Sequence, residues 1–172
     1  FIVRMVFVKT LPIEYLGVNG LFTNVLAMLS LAELGIGPAI VYSLYKPLAY
    51  GEKETVKSIM HLFKKVYIAV GGIILVLGLA LFPFLGNFIK DGQSVPQVHY
   101  FYLVFLLNTV VSYLWTYKRS LLIADQKQYV VNIYQAAVQV LVAALQIISL
   151  LIFADYWCFI ILMLLGTVLE NF

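Results

Sequence analysis

Asn132, Gln135, Gln139 and Gln146 recur at i, i+3, i+7 and i+14 within a stretch, Gln128 to Ala154, that holds no Asp, Glu, Lys or Arg. A helix turns about 100° per residue, so this spacing keeps the amides within about 60° of one another and lines one face with uncharged donors and acceptors. Such a stripe suits a wet path for a sugar-like or headgroup-like solute. It equally suits hydrogen-bond glue between helices. By the same arithmetic Phe101, Asn108, Ser112, Trp115 and Arg119 share a face that runs from aromatic to cationic. That face reads as a cavity wall, or as a packing face on which Trp115 and Arg119 anchor a membrane interface.

Two charges stand inside apolar runs, where ionisable groups are costly and mark functional candidates. Glu33 lies in Leu31-Ala-Glu-Leu-Gly-Ile-Gly-Pro-Ala, beside helix-loosening Gly35, Gly37 and Pro38. It can titrate in an ion-coupling step, bind a cation, or accept hydrogen bonds from backbone freed at a kink. Arg4 sits in the first apolar segment, about 8 Å below the outer surface if that helix ends near Lys9. Its planar fork suits phosphate or pyrophosphate, and the alternative is snorkelling toward outer headgroups. Depth argues against a direct Arg4–Glu33 pair, because Glu33 falls about 20 Å from the outer end of its own helix.

Other chemistry is thinly represented. His61 and His99 have no metal-ligand company, and the single cysteine, Cys158, excludes an internal disulfide framework. No nucleophile–base constellation, HExxH, Walker motif or paired catalytic carboxylate occurs, so an enzyme is not expected. The basic residues form no soluble face with interleaved aromatics, which argues against nucleic acid.

The elements that carry these residues follow from charge. The 172 residues are 63% hydrophobic and 11% charged, against roughly 25% charged in a soluble domain. Charge-free gaps predict membrane spans at about 1–9 (partial), 17–46, 66–89, 99–119, 129–153 and 157–172 (partial), each full span having the roughly 20 apolar residues that a bilayer requires. Connectors 46–65 and 118–128 hold Lys46, Lys53, Lys57, Lys64, Lys65, Lys118, Arg119 and Lys127, and the positive-inside rule makes them and the amino terminus cytoplasmic. Val56, Ile59, Met60, Phe63 and Tyr67 recur at helical spacing opposite Lys53, Lys57 and Lys64, which predicts an amphipathic helix over about 53–65 lying on anionic lipid. Pro83 is expected to kink the third span. Apolar residues at both ends suggest a piece of a longer protein.

The blocks Glu14-Tyr-Leu-Gly-Val-Asn-Gly-Leu-Phe-Thr-Asn, Leu31-Ala-Glu-Leu-Gly-Ile-Gly-Pro-Ala-Ile and Tyr42-Ser-Leu-Tyr-Lys-Pro-Leu resemble Wzx-type bacterial polysaccharide flippases. Tyr113 to Lys118 and Ser120-Leu-Leu-Ile-Ala-Asp-Gln-Lys-Gln-Tyr resemble the fourth-helix exit of the same family, which belongs to a MATE-like superfamily with multidrug exporters and the peptidoglycan-precursor flippase. The resemblance implies an all-α fold of two inverted-V bundles with 12 to 14 helices, of which this chain is most of the amino-terminal bundle. It implies movement of undecaprenyl-pyrophosphate-linked oligosaccharide across the bacterial plasma membrane by alternating access. It also implies a cavity cation from the first helix, matched here by Arg4, and an acid in the second, matched by Glu33. No cofactor is expected, and a coupling Na+ or H+ is left open. A cation-coupled drug exporter centred on Glu33 is the alternative within the superfamily. A membrane-embedded glycan polymerase or ligase would need larger outer loops, and a purely structural scaffold would bury the polar stripes between helices.

Overall fold

A computed structural model describes residues 2–30, 35–88 and 95–171, and among these it contains helices and no strand. The helices are α1 (Ile2–Thr10), α2 (Ile13–Ser30), α3 (Ile36–Ala49), α4 (Lys53–Leu81), α5 (Leu85–Phe88), α6 (Val98–Ala124), α7 (Gln128–Phe153) and α8 (Tyr156–Asn171). The stretches Lys53–Phe84, Val98–Ala124 and Gln128–Phe153 are each long and apolar enough to cross a membrane, while Ile13–Leu29 and Tyr156–Asn171 are shorter apolar helices. On α7, Ile133, Val140, Leu141, Ile148, Leu151 and Ile152 are all exposed. An apolar face of that extent is unusual against water and ordinary against lipid. The chain is thus an all-α bundle whose helices point to a membrane-embedded protein.

The central helix is α6, which packs against α2, α3, α4, α7 and α8. It runs antiparallel to α4, and their close approach rests on missing side chains. A β-carbon on Gly71 would meet Tyr113 Cβ at 3.6 Å, and one on Gly78 would meet Leu106 Cδ1. Small residues let helix backbones approach where lipid supplies no hydrophobic drive for association. The approach also brings the Tyr102 hydroxyl within 2.8 Å of the Gly78 carbonyl, to which it donates.

Two ends of the bundle differ in chemistry. One end, where α2, α6 and α8 begin, is closed by rings: Phe101 lies 4.7 Å from Tyr156 and 4.9 Å from Trp157, Tyr15 lies 5.0 Å from Tyr156, and Phe7 lies 5.0 Å from Phe159. These edge-to-face and tilted pairs are a favoured aromatic arrangement. Trp157 Nε1 donates to Gln97 Oε1 at 2.8 Å and ties the starts of α6 and α8 together. The other end carries the exposed side chains of Lys46, Lys53, Lys57 and Lys118. These are called the aromatic end and the lysine end below.

Two differences from the sequence reading concern helix continuity. The stretch 17–46, read as one span, is two helices. Gly35 precedes α3 at φ 91°, ψ −15°, a left-handed conformation that glycine adopts without the steric cost of a β-carbon. The amphipathic stretch 53–65 runs without a break into the third span as the first turns of α4, and Val56, Ile59, Met60 and Phe63 pack against the bundle core. The apolar period is the same whether the partner is lipid or protein, and no breaker separates Lys64 from Tyr67. Pro83 falls in a single 3-10 turn, Phe82–Phe84, that ends α4.

Ala154 caps α7 at φ 48°, ψ 35°, a conformation that costs a non-glycine L-residue roughly 1–2 kcal/mol. Its N–H donates to Leu150 O at 3.1 Å, a bond that glycine would keep. Ala154→Gly is expected to raise stability by about 0.5–1 kcal/mol, the strain relieved less the added freedom of the unfolded chain. A thermal midpoint in detergent that stays level or falls would refute this.

Candidate functional site

At the lysine end α3, α6 and α7 diverge and leave an open cleft of about 790 Å³. From α3 it takes Tyr42 and Tyr45, from α4 Tyr67, from α6 Thr116, Arg119 and Ser120, and from α7 Asn132 and Gln135. Among the described residues lining it, Arg119 alone carries a charge. Tyr42 is 79% exposed, so its ring is free to meet a ligand, whereas Tyr67 is fully buried in the wall.

The position of Arg119 is held from two helices. Its Nη2 donates to Asn171 Oδ1 of α8 at 2.6 Å and makes a longer contact, 3.4 Å, with Thr116 Oγ1 one turn back. Asn171 is itself fixed, because its Nδ2 donates to Thr167 O at 2.7 Å. The Nε of Arg119 is buried with no hydrogen-bond partner. Among the described residues the ion pair is Lys127–Asp125, 2.5 Å apart in the α6–α7 turn, where the Asp125 carboxylate holds the Lys127 ammonium above its ordinary pKa. Among the described residues the hydrogen-bond partners of Arg119 at the cleft wall are thus neutral groups.

The amide stripe of α7 is divided between two surroundings. Asn132 and Gln135 line the cleft. Gln139 and Gln146 instead line a hollow of about 230 Å³ between α7 and α8, together with Thr167 and Glu170. There Gln146, itself buried, donates through Nε2 to Phe159 O at 3.4 Å. The split follows from the route of α8, which packs on α7 along Val142 and Gly166 and leaves the first turns of α7 open to the cleft.

Arg4 lies elsewhere, exposed beside a hollow of about 390 Å³ that Asn19, Thr23 and Asn24 of α2 share. Phe7 packs against Tyr156 and Phe159 at the aromatic end, and Arg4 is one turn below it. Phe101 to Arg119 spans about 27 Å of α6, so the two arginines stand about 20 Å apart along the bundle. Asn108 is half-buried and its Oδ1 has no partner. Ser112 donates to Thr109 O of its own helix at 2.6 Å. Glu33 lies outside the described residues. The structure thus joins Asn132 and Gln135 to Arg119, but not to Arg4, Gln139 or Gln146.

Sequence reasoning left Arg119 as one end of a polar face and did not single out the tyrosines. The signals were present: Arg119 follows Ser112 and Thr116 on α6, and Tyr42 and Tyr45 are three apart, on one side of α3. Fold and cleft together define a class, an all-α bundle with membrane-length helices and a polar cleft holding one arginine. No family model, curated protein or solved structure matches the chain.

Proposed function

We propose that the chain serves a flippase that carries lipid-linked oligosaccharide across the bacterial plasma membrane, within the MATE-like two-bundle architecture of 12 to 14 helices, its amino terminus and lysine end cytoplasmic. The observation that supports this reading is the cleft, which sets one guanidinium among amides, hydroxyls and tyrosine rings at the edge of a lipid-facing bundle. Amides and hydroxyls can exchange hydrogen bonds with a glycan, exposed tyrosine rings offer faces for sugar rings, and a guanidinium grips phosphate with two parallel N–H bonds. The hollow at Arg4 offers a second anionic contact about 20 Å further along the same axis. A substrate whose polar head must leave one leaflet and reach the other suits polar stations near both ends of a bundle.

The test replaces glycan contacts in the intact protein. With Asn132 and Gln135 both changed to alanine, surface polysaccharide is expected to fall by roughly tenfold, the effect of about 1.4 kcal/mol in recognition, at unchanged protein level. Polysaccharide at the parental level would reject the flippase reading. A cation-coupled exporter is the second reading, favoured by the α7–α8 hollow that gathers Glu170 with Gln139 and Gln146. It is marked by altered resistance to cationic dyes with polysaccharide unaffected.

A further inference from the structure

The outward side of α4 changes chemistry along its length. Lys57, His61 and Lys64 follow at i, i+4 and i+7, one per turn, and at about 100° per residue they fall within about 60° of one another. The same arc continues through Ile68, Leu75 and Leu79. The three polar side chains are exposed, and so are the three apolar ones. Val56, Ile59, Met60 and Phe63, with the buried Tyr67, Val70 and Ile74, occupy the other side of the helix, against the bundle core. With that side taken by protein, what α4 offers to lipid is a stripe that runs from cations to aliphatic chains.

Length sets the depth at which the two parts lie. The 29 residues of α4 rise about 43 Å, against about 30 Å of hydrocarbon in a bilayer. Lys64 to Leu81 covers about 27 Å, so with Leu81 at the far edge Lys64 meets the near headgroup layer, with His61 about 5 Å and Lys57 about 10 Å further out. Lysine stems lie along apolar surface while their ammonium groups stay at the level of the headgroups. Glu52 and Glu54 flank Lys53 and offset its charge, whereas residues 57–79 contain no acid.

We propose that this stripe binds one anionic phospholipid lengthwise: its phosphodiester lies against Lys64 and His61, its headgroup extends toward Lys57, and an acyl chain follows Ile68, Leu75 and Leu79. A zwitterionic lipid fills the apolar part equally well but brings its own cation to the lysines, so selection falls on the net charge of the headgroup. The site is on the outward side of α4, whereas the buried Tyr67 of the same helix forms part of the cleft wall. It does not rest on the flippase reading.

The experiment titrates the full-length protein in nonionic detergent with dioleoyl phosphatidylglycerol or dioleoyl phosphatidylcholine and counts the retained lipid by native mass spectrometry. Phosphatidylglycerol is expected to bind more tightly by roughly tenfold, about 1.4 kcal/mol. Lys57→Gln combined with Lys64→Gln removes most of that preference and leaves phosphatidylcholine within about twofold of the parent. If the double variant fails to fold, the two single variants decide, each expected to weaken phosphatidylglycerol by about threefold. Lys9→Gln combined with Lys127→Gln removes the same net charge elsewhere and keeps the preference within about twofold of the parent. Equal binding of the two lipids by the parent overturns the proposal, and so does an unchanged preference in the Lys57/Lys64 variant. An equal loss in the Lys9/Lys127 variant also overturns it, because attraction by net charge alone would then account for the result. Displacement by glycerol 3-phosphate at the concentration of the lipid does the same, since a free phosphate would then bind without an acyl chain.

Discussion

Gly78→Val is expected to cost about 3 kcal/mol, the upper end of what overpacking costs, and to leave little folded protein in detergent. A β-carbon alone would fall within 2.9 Å of Leu106 Cδ2 and nearer still to Cδ1. Leu106 is 1% exposed and belongs to the buried core, so turning it away from position 78 presses it on other packed side chains. Relief by separation of α4 and α6 breaks the hydrogen bond from Tyr102 to the Gly78 carbonyl and opens the interface at Gly71, two turns along the same face. Leu106→Ala in the same molecule empties the space that the valine needs, so the double variant is expected to recover most of the folded fraction. Fluorescence-detected size exclusion reads both results. A monodisperse Gly78→Val protein at the parental level would show that α4 and α6 do not approach as described.

Phe22→Ala is the second large effect. Phe22 is fully buried, with its ring 5.3 Å from Tyr102 and 5.7 Å from Phe105. In a water-soluble core this change costs roughly 3–5 kcal/mol, which includes the transfer of the ring out of water. In a bilayer the unfolded reference already shelters the ring in lipid, so the transfer part drops out and the lost ring contacts and cavity remain. The expected cost is about 2 kcal/mol, with Phe22→Leu losing less than half of it. Reversible unfolding in mixed micelles measures both. A cost of 5 kcal/mol would mean that this part of the bundle faces water rather than lipid when unfolded.

The helices were legible because long gaps between charges survive any uncertainty about packing. The break before α3 was marked by Gly35, Gly37 and Pro38, yet a run of apolar residues on both sides hid the fact that one span is two helices. Periodicity could place Asn132 and Gln139 on one face of α7 but could not say which neighbour each would meet. That depends on where α8 leaves the surface of α7, a tertiary fact set by Val142 against Gly166. Arg119 stayed open between a cavity wall and an interface anchor for a related reason. A cation near a helix end reads as an interface anchor until Asn171, distant in sequence, is seen to hold it. The apolar side of residues 53–65 was legible, and its packing against the bundle core was not, because lipid and protein ask for the same pattern.

The left-handed turn at Gly35 divides the labour of two helices that the sequence presents as one. The first, α2, is wedged among rings by Tyr15 and Phe22, while the second, α3, carries the tyrosines of the cleft. The turn lets α3 lie against α4 and α6 on its own line, with Tyr42 and Tyr45 toward the cleft, while the rings beside α2 close the aromatic end. One glycine thus stands between a ring-walled post and a tyrosine-bearing rail, and the cleft opens where that rail passes Arg119.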